Sequence, residues 1–113
     1  MLEGLFGNIM VERILFFLFV YNEGYPLGIA RVFGVPVNRI QQQLKRLENG
    51  GIVASRLVGN VRLYTFNPRF LFLKELKELL ARAYEFVPEK EKDVYYRMRK
   101  RPRRAGKPVK KSG

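Results

Sequence analysis

Asn38, Arg39, Gln41, Gln42, Lys45 and Arg46 fall within nine consecutive residues, NRIQQQLKR, and they are the side chains of this chain best suited to chemistry. Carboxamides can pair bidentately with adenine and a guanidinium with guanine, while Lys and Arg also hold phosphate. The chemistry implied is recognition of a nucleic acid, not bond-making. A surface helix with no such task more often carries Glu/Lys pairs than a run of three glutamines. Arg56, Asn60 and Arg62 form a second polar group around Gly59, suited to phosphate or minor-groove contact. Arg31 is a weaker phosphate candidate.

The elements that must position these residues follow from periodicity and punctuation. Ile40, Leu44 and Leu47 recur at i, i+4 and i+7, the buried stripe of a helix whose other faces are polar. Its start has two readings. Pro36 suits the first turn of a helix, and Asn38 with Gln41 three residues on suits a capping box. Asn49-Gly50-Gly51 ends the helix. Before it, Leu27 to Phe33 predicts a two-turn helix closed by Gly34. After it, Ile52–Val58 and Val61–Phe66 predict two strands folded back at Gly59-Asn60, a dipeptide suited to a two-residue hairpin. Asn67-Pro68 stops the second strand.

The flanks predict two more helices. The first runs from about Asn8, as N-cap, to Asn22 and is apolar all the way round through Ile14–Val20, which implies burial on every side. A chain this small is expected to leave part of it uncovered, so a second copy is expected to cover that face; the alternative is a helix central to the core of a single chain. The second runs from about Arg69 to Phe86, with Phe72, Leu73, Leu76, Leu79, Leu80 and Ala83 on its apolar side. Phe16, Phe19, Leu73, Leu76 and Leu80 are thus the expected interface of a homodimer. Residues 22–26 read as a loop. The organisation expected is one domain over 1–87, a short charged segment over 88–96 and a disordered basic tail over 97–113.

Charge supports an anionic partner but is unevenly spread. The 22 Lys and Arg against 10 acids give a net charge of +12. Nine of those cations, and no acid, lie in residues 97–113, so the remaining 96 residues hold 13 cations against 10 acids, a net +3. The tail lacks an amphipathic apolar face, which favours a nucleic-acid backbone over a membrane surface.

Other function classes find little support. There is no Cys and no His, which excludes disulfides and thiolate or imidazole chemistry, and no metal or cofactor is expected. Glu75, Glu78 and Glu85 are spread among Lys and Arg as on a solvated face. Gly4-Leu5-Phe6-Gly7 lacks the Lys-Ser or Lys-Thr of a phosphate loop, so an enzyme is not expected. The apolar run Ile14–Tyr21 is eight residues long, far short of the roughly 20 needed to span a bilayer. Nor is it a signal peptide, since Glu3 and Glu12 precede it and no small-residue cleavage site follows.

The stretch GVPVNRIQQQLKRLENGGIV (34–53), with the hairpin SRLVGNVRLYTFNP (55–68), resembles winged helix-turn-helix regulators of the broad ArsR/MarR-like type. It is similar above all to small winged modules found alone or ahead of nucleotidyltransferase domains. The resemblance covers roughly residues 8–84. It implies a mainly α fold with a small β-wing, N- and C-terminal dimerisation helices, and a recognition helix in the major groove. The function it implies is sequence-specific binding of double-stranded DNA by a dimeric transcription regulator in a prokaryotic cytoplasm. An RNA-binding winged helix and a protein-interaction adaptor are the alternatives. The Cys and His ligands of metal-sensing relatives are missing, and the basic tail lies outside the resemblance.

Overall fold

The computed structural model describes residues 1–97. The chain is mainly helical, with a small three-stranded antiparallel sheet. In order it forms α1 (Glu3–Phe6), α2 (Ile9–Tyr21), β1 (Glu23–Gly24), α3 (Pro26–Phe33), α4 (Val37–Asn49), β2 (Val53–Val58), β3 (Val61–Phe66), α5 (Leu73–Tyr84) and α6 (Glu89–Glu91). A π-helical turn, Lys92–Tyr96, continues from α6.

Local signals account for most boundaries. Asn8 caps α2, its side chain accepting the Val11 N–H at 2.9 Å, and Asn22 closes it in the left-handed conformation at φ 72°. Gly34 ends α3 at φ 66°. Pro36 is the N-cap residue of α4, and its carbonyl accepts the Arg39 N–H at 3.1 Å. The capping-box reading is therefore replaced: Asn38 sits inside the first turn and its amide makes no cap. In the hairpin Val58 pairs with Val61, leaving Gly59-Asn60 as the loop, with only Gly59 at positive φ.

Two short elements escape sequence patterning. α1 is a single turn held to α2 by Glu12, a buried carboxylate that accepts the Leu2 N–H and lies 3.3 Å from the chain-terminal ammonium. β1 occupies the stretch expected as a loop and pairs Glu23 with Thr65 and Gly24 with Tyr64, so the sheet order is β1-β3-β2. A Cβ on Gly24 would lie 2.7 Å from the Phe17 ring and 3.0 Å from Ile29 Cδ1. α5 also starts four residues later than expected, because turns through Asn67–Phe72 precede it: Phe70 N–H bonds Asn67 O, and Leu73 N–H bonds Phe70 O.

The core is built around α2, whose residues from Met10 to Leu18 are buried apart from the half-buried Arg13. α1, β1, α4, α5 and the C-terminal turn all touch it. Phe16 packs against Tyr84 and Tyr96, with ring centroids 6.0 and 5.9 Å away, and Tyr95 stacks on Phe33 at 4.9 Å. This corrects the expected interface. Phe16 is 1% and Leu80 0% exposed within a single chain, so neither is available to a partner. The missing cover comes from residues 88–96, expected as a charged appendage, which contribute the buried Tyr96 and Lys92 to this cluster. Lys92 Nζ lies 4.8 Å from the Tyr84 ring centroid and 3.2 Å from Glu89.

Two outcomes follow. Gly24→Ala forces Phe17 and Ile29 apart and should cost about 1–3 kcal/mol in urea unfolding, as overpacking does. The Glu89 carboxyl is held below its ordinary 4.5 by hydrogen bonds from Arg97 and Lys92. A depressed acid stabilises the fold above that value and ceases to as pH falls through the lowered one. The near-UV dichroism of Tyr84, Tyr95 and Tyr96 should therefore weaken as pH drops below 4.5. The effect should be small, because the Glu89 carboxylate is exposed.

Candidate nucleic-acid interface

α3 and α4 are joined by the three residues Gly34–Pro36, and α4 lies against α2 with Ile40, Leu44 and Leu47 inward. At 3.6 residues per turn, that stripe leaves Asn38, Gln42, Lys45 and Asn49 (i, i+4, i+7, i+11) on the opposite, exposed face. Asn49 was missed as a site residue because Asn-Gly-Gly reads first as a terminator. It adds another amide to the same face.

The other α4 candidates flank this line and are not equivalent. Gln41 turns toward the hairpin, bordering a cleft of about 300 Å³ with Tyr25, Asn60, Arg62 and Tyr64. Arg39 is exposed on the other flank. Arg46 is committed elsewhere: its Nη1 donates to Gln43 Oε1 at 3.4 Å, and its guanidinium lies beside Gly7. Gln43 Oε1 also accepts from Asn8 Nδ2 at 3.4 Å. Arg46 and Gln43 thus join α4 to the α1–α2 turn, and Arg46 stands at the edge of the reading face, not within it.

The hairpin candidates divide as well. Cross-strand partners share a face and neighbours alternate. Arg62 opposes Leu57, and Arg56 opposes Leu63, which sets the two arginines on opposite faces. Arg62 lies on the α4 side: its Nη1 donates to Ser55 Oγ at 3.2 Å, and the Ser55 hydroxyl donates to Glu48 at 2.7 Å. This chain fixes the hairpin's angle to α4. Asn60 is exposed at the tip, between Val58 and Val61, which are also exposed.

Charge is segregated by element. Residues 26–69 contain seven cations (Arg31, Arg39, Lys45, Arg46, Arg56, Arg62, Arg69) and one acid, Glu48, a net +6. Residues 1–25 and 70–97 contain seven cations and nine acids, a net −2. The single acid of the basic region is already bonded to Ser55. Among the described residues, no three His, Cys, Asp or Glu side chains gather as a metal site would require, and no helix is long and apolar enough to cross a membrane.

No family model, curated relative or solved structure matches the chain.

Removing Glu48 breaks a hydrogen bond to a charged group, worth about 1.5 kcal/mol at the lower end of its range. Glu48→Ala should lower stability by about that much in urea titration, and Ser55→Ala by less, since water can replace the hydroxyl. Equal, near-zero effects would show that the chain does not fix the hairpin.

Proposed function

We propose that this chain binds double-stranded DNA as a winged helix-turn-helix transcription regulator, with α4 entering the major groove and the β2–β3 hairpin following the adjacent backbone. The observation that carries this reading is the composition of the basic region. Its exposed α4 face holds three amides and a cation with no free acid, while the acids are gathered on other elements. Asn38 and Gln42 are placed to read base edges, with Arg39 and Gln41 at the margins of the same face. Lys45 and Arg62 are suited to phosphate, which fixes register without reading sequence. Arg56 and Asn60 reach a different stretch of backbone from Arg62, because they project from the other face and from the tip.

The tail fits the same assignment, although residues 98–113 lie outside the described residues. Their eight cations are suited to counterion release from a nucleic-acid backbone. The setting this function implies is a prokaryotic cytoplasm, with the protein on the nucleoid when bound.

Selection from a random duplex library, set against structured RNA, tests the reading. Enrichment of a short DNA site supports it, whereas preference for RNA or binding to neither counts against it. On the selected site, Gln42→Ala should relax discrimination at one base pair by about 1–3 kcal/mol. Lys45→Ala should weaken all duplexes alike and reduce the salt slope by about 1. Arg46→Ala should have the smaller effect of the two cations, because its guanidinium is tied to Gln43.

A further inference from the structure

Between the start of α3, the first turns of α4 and the hairpin lies the cleft that Gln41 borders. Two phenols, Tyr25 and Tyr64, and two carboxamides, Gln41 and Asn60, line it together with the Arg62 guanidinium. Its volume of about 300 Å³ suits a small ligand, and such sites combine apolar walls with a few convergent polar groups. Leu27 and Val61, each 50% exposed, supply the apolar rim. Among the described residues no acid borders the cleft.

Tyr64 is the observation that calls for a ligand. It shares a strand face with Arg62 and opposes Ser55. It is only 7% exposed, yet its hydroxyl has no hydrogen-bond partner among the described residues. A buried phenol ordinarily finds a partner, and an unmet one asks for a group from outside the chain. The carboxamides of Gln41 and Asn60 also lack partners among the described residues, and Arg62 gives an N–H to Ser55 but forms no ion pair there. Tyr25 caps α3 through its carbonyl, which accepts the Ile29 N–H, while its side chain takes no part in the cap. Its ring is therefore available, and it is 38% exposed.

We infer that this cleft holds a single unstacked nucleotide. A flat heterocycle can stack on Tyr25, and its edge offers partners to Gln41, Asn60 and the buried Tyr64 hydroxyl. Arg62 is suited to the phosphate. A purely apolar ligand would leave the polar groups unpaired, and a cation would meet Arg62 with no acid to hold it. Only the source of the nucleotide rests on the proposed function. A base extruded from a strand lying along α4 is one source, and a free nucleoside monophosphate, which needs no duplex, is the other.

Two probes separate these sources. Nucleoside monophosphates titrated to millimolar concentration into the isotope-labelled full chain should shift the side-chain amide signals of Gln41 and Asn60 saturably. A duplex with one bulged base should bind about tenfold more tightly than the same duplex without it. Tyr25→Ala should abolish both responses and Tyr25→Phe should keep them, with the melting profile and the affinity for the perfect duplex unchanged in each. Tyr64→Phe removes an unpartnered hydroxyl, so it should melt no lower than the wild type and still bind the nucleotide several-fold more weakly. Monophosphate binding without a preference for the bulge assigns the cleft to a free nucleotide, and the reverse pattern assigns it to an extruded base. No shift with any monophosphate, together with equal affinity for the two duplexes, overturns the inference. So do responses that survive both Tyr25→Ala and Tyr64→Phe. The monophosphate arm contains no duplex, so a failure of duplex reading leaves it intact, and a failure of the cleft leaves binding to the perfect duplex intact.

Discussion

Enclosing α2 is the constraint from which the rest of the structure follows. A helix that is apolar on every side must be covered on every side, and a chain of this size has few elements to do it. α1, α4, α5, β1 and the C-terminal turn each give up an inward face to that task. What remains for function is whatever the enclosure leaves outside: the outer face of α4, the hairpin beyond Leu63, and the far side of α5. The aromatic residues carry the enclosure, with Phe16, Phe17, Phe33, Tyr84, Tyr95 and Tyr96 in mutual ring contact across four segments distant in sequence. Such rings bury large areas each and dominate the energetics of a small core.

The division of labour is also electrostatic. Among the described residues the uncompensated positive charge lies in 26–69, whereas 70–97 balances six cations with six acids, in pairs such as Arg82–Glu85 and Arg97–Asp93. Exposed pairs of this kind add little stability. Their consequence is for the field around the described residues, whose unbalanced positive charge draws an anion toward α4 and the hairpin. Glu48 illustrates the arrangement: the one acid in the basic region has its carboxylate turned to Ser55, where it links α4 to the hairpin.

Local signals made the α3–α4–hairpin unit legible in the sequence, because each boundary has a residue-level cause: Gly34, the Ile40/Leu44/Leu47 stripe, and the Gly59-Asn60 loop. The elements that were not legible have no local cause. β1 is two residues whose strand character comes from pairing with β3, and a glycine is needed there only because Phe17 and Ile29 approach so closely. α1 depends on a carboxylate nine residues further on. Tyr95 and Tyr96 look like part of a charged segment until the fold brings Phe33 and Phe16 against them. The same limit governs the site. Sequence placed Arg46 among the binding residues by charge and spacing alone, and could not foresee that Gln43 and the α1–α2 turn engage it. Arg56 and Arg62 looked like one cluster, but strand register separates them.

The two free surfaces are joined through α4 itself. Leu47 and Arg46 border an apolar groove beside α5, while Lys45 and Gln42, one to five residues earlier, stand on the opposite face. A rigid helix transmits displacement along its length, so whatever shifts the groove side of α4 shifts its outer face as well. Gln43 and Asn8 reinforce the link by joining Arg46 to the turn between α1 and α2, and α1 itself borders the groove through Leu5 and Phe6. Substitutions at Arg46 should be felt through the setting of α4 against the α1–α2 turn more than through any lost phosphate contact.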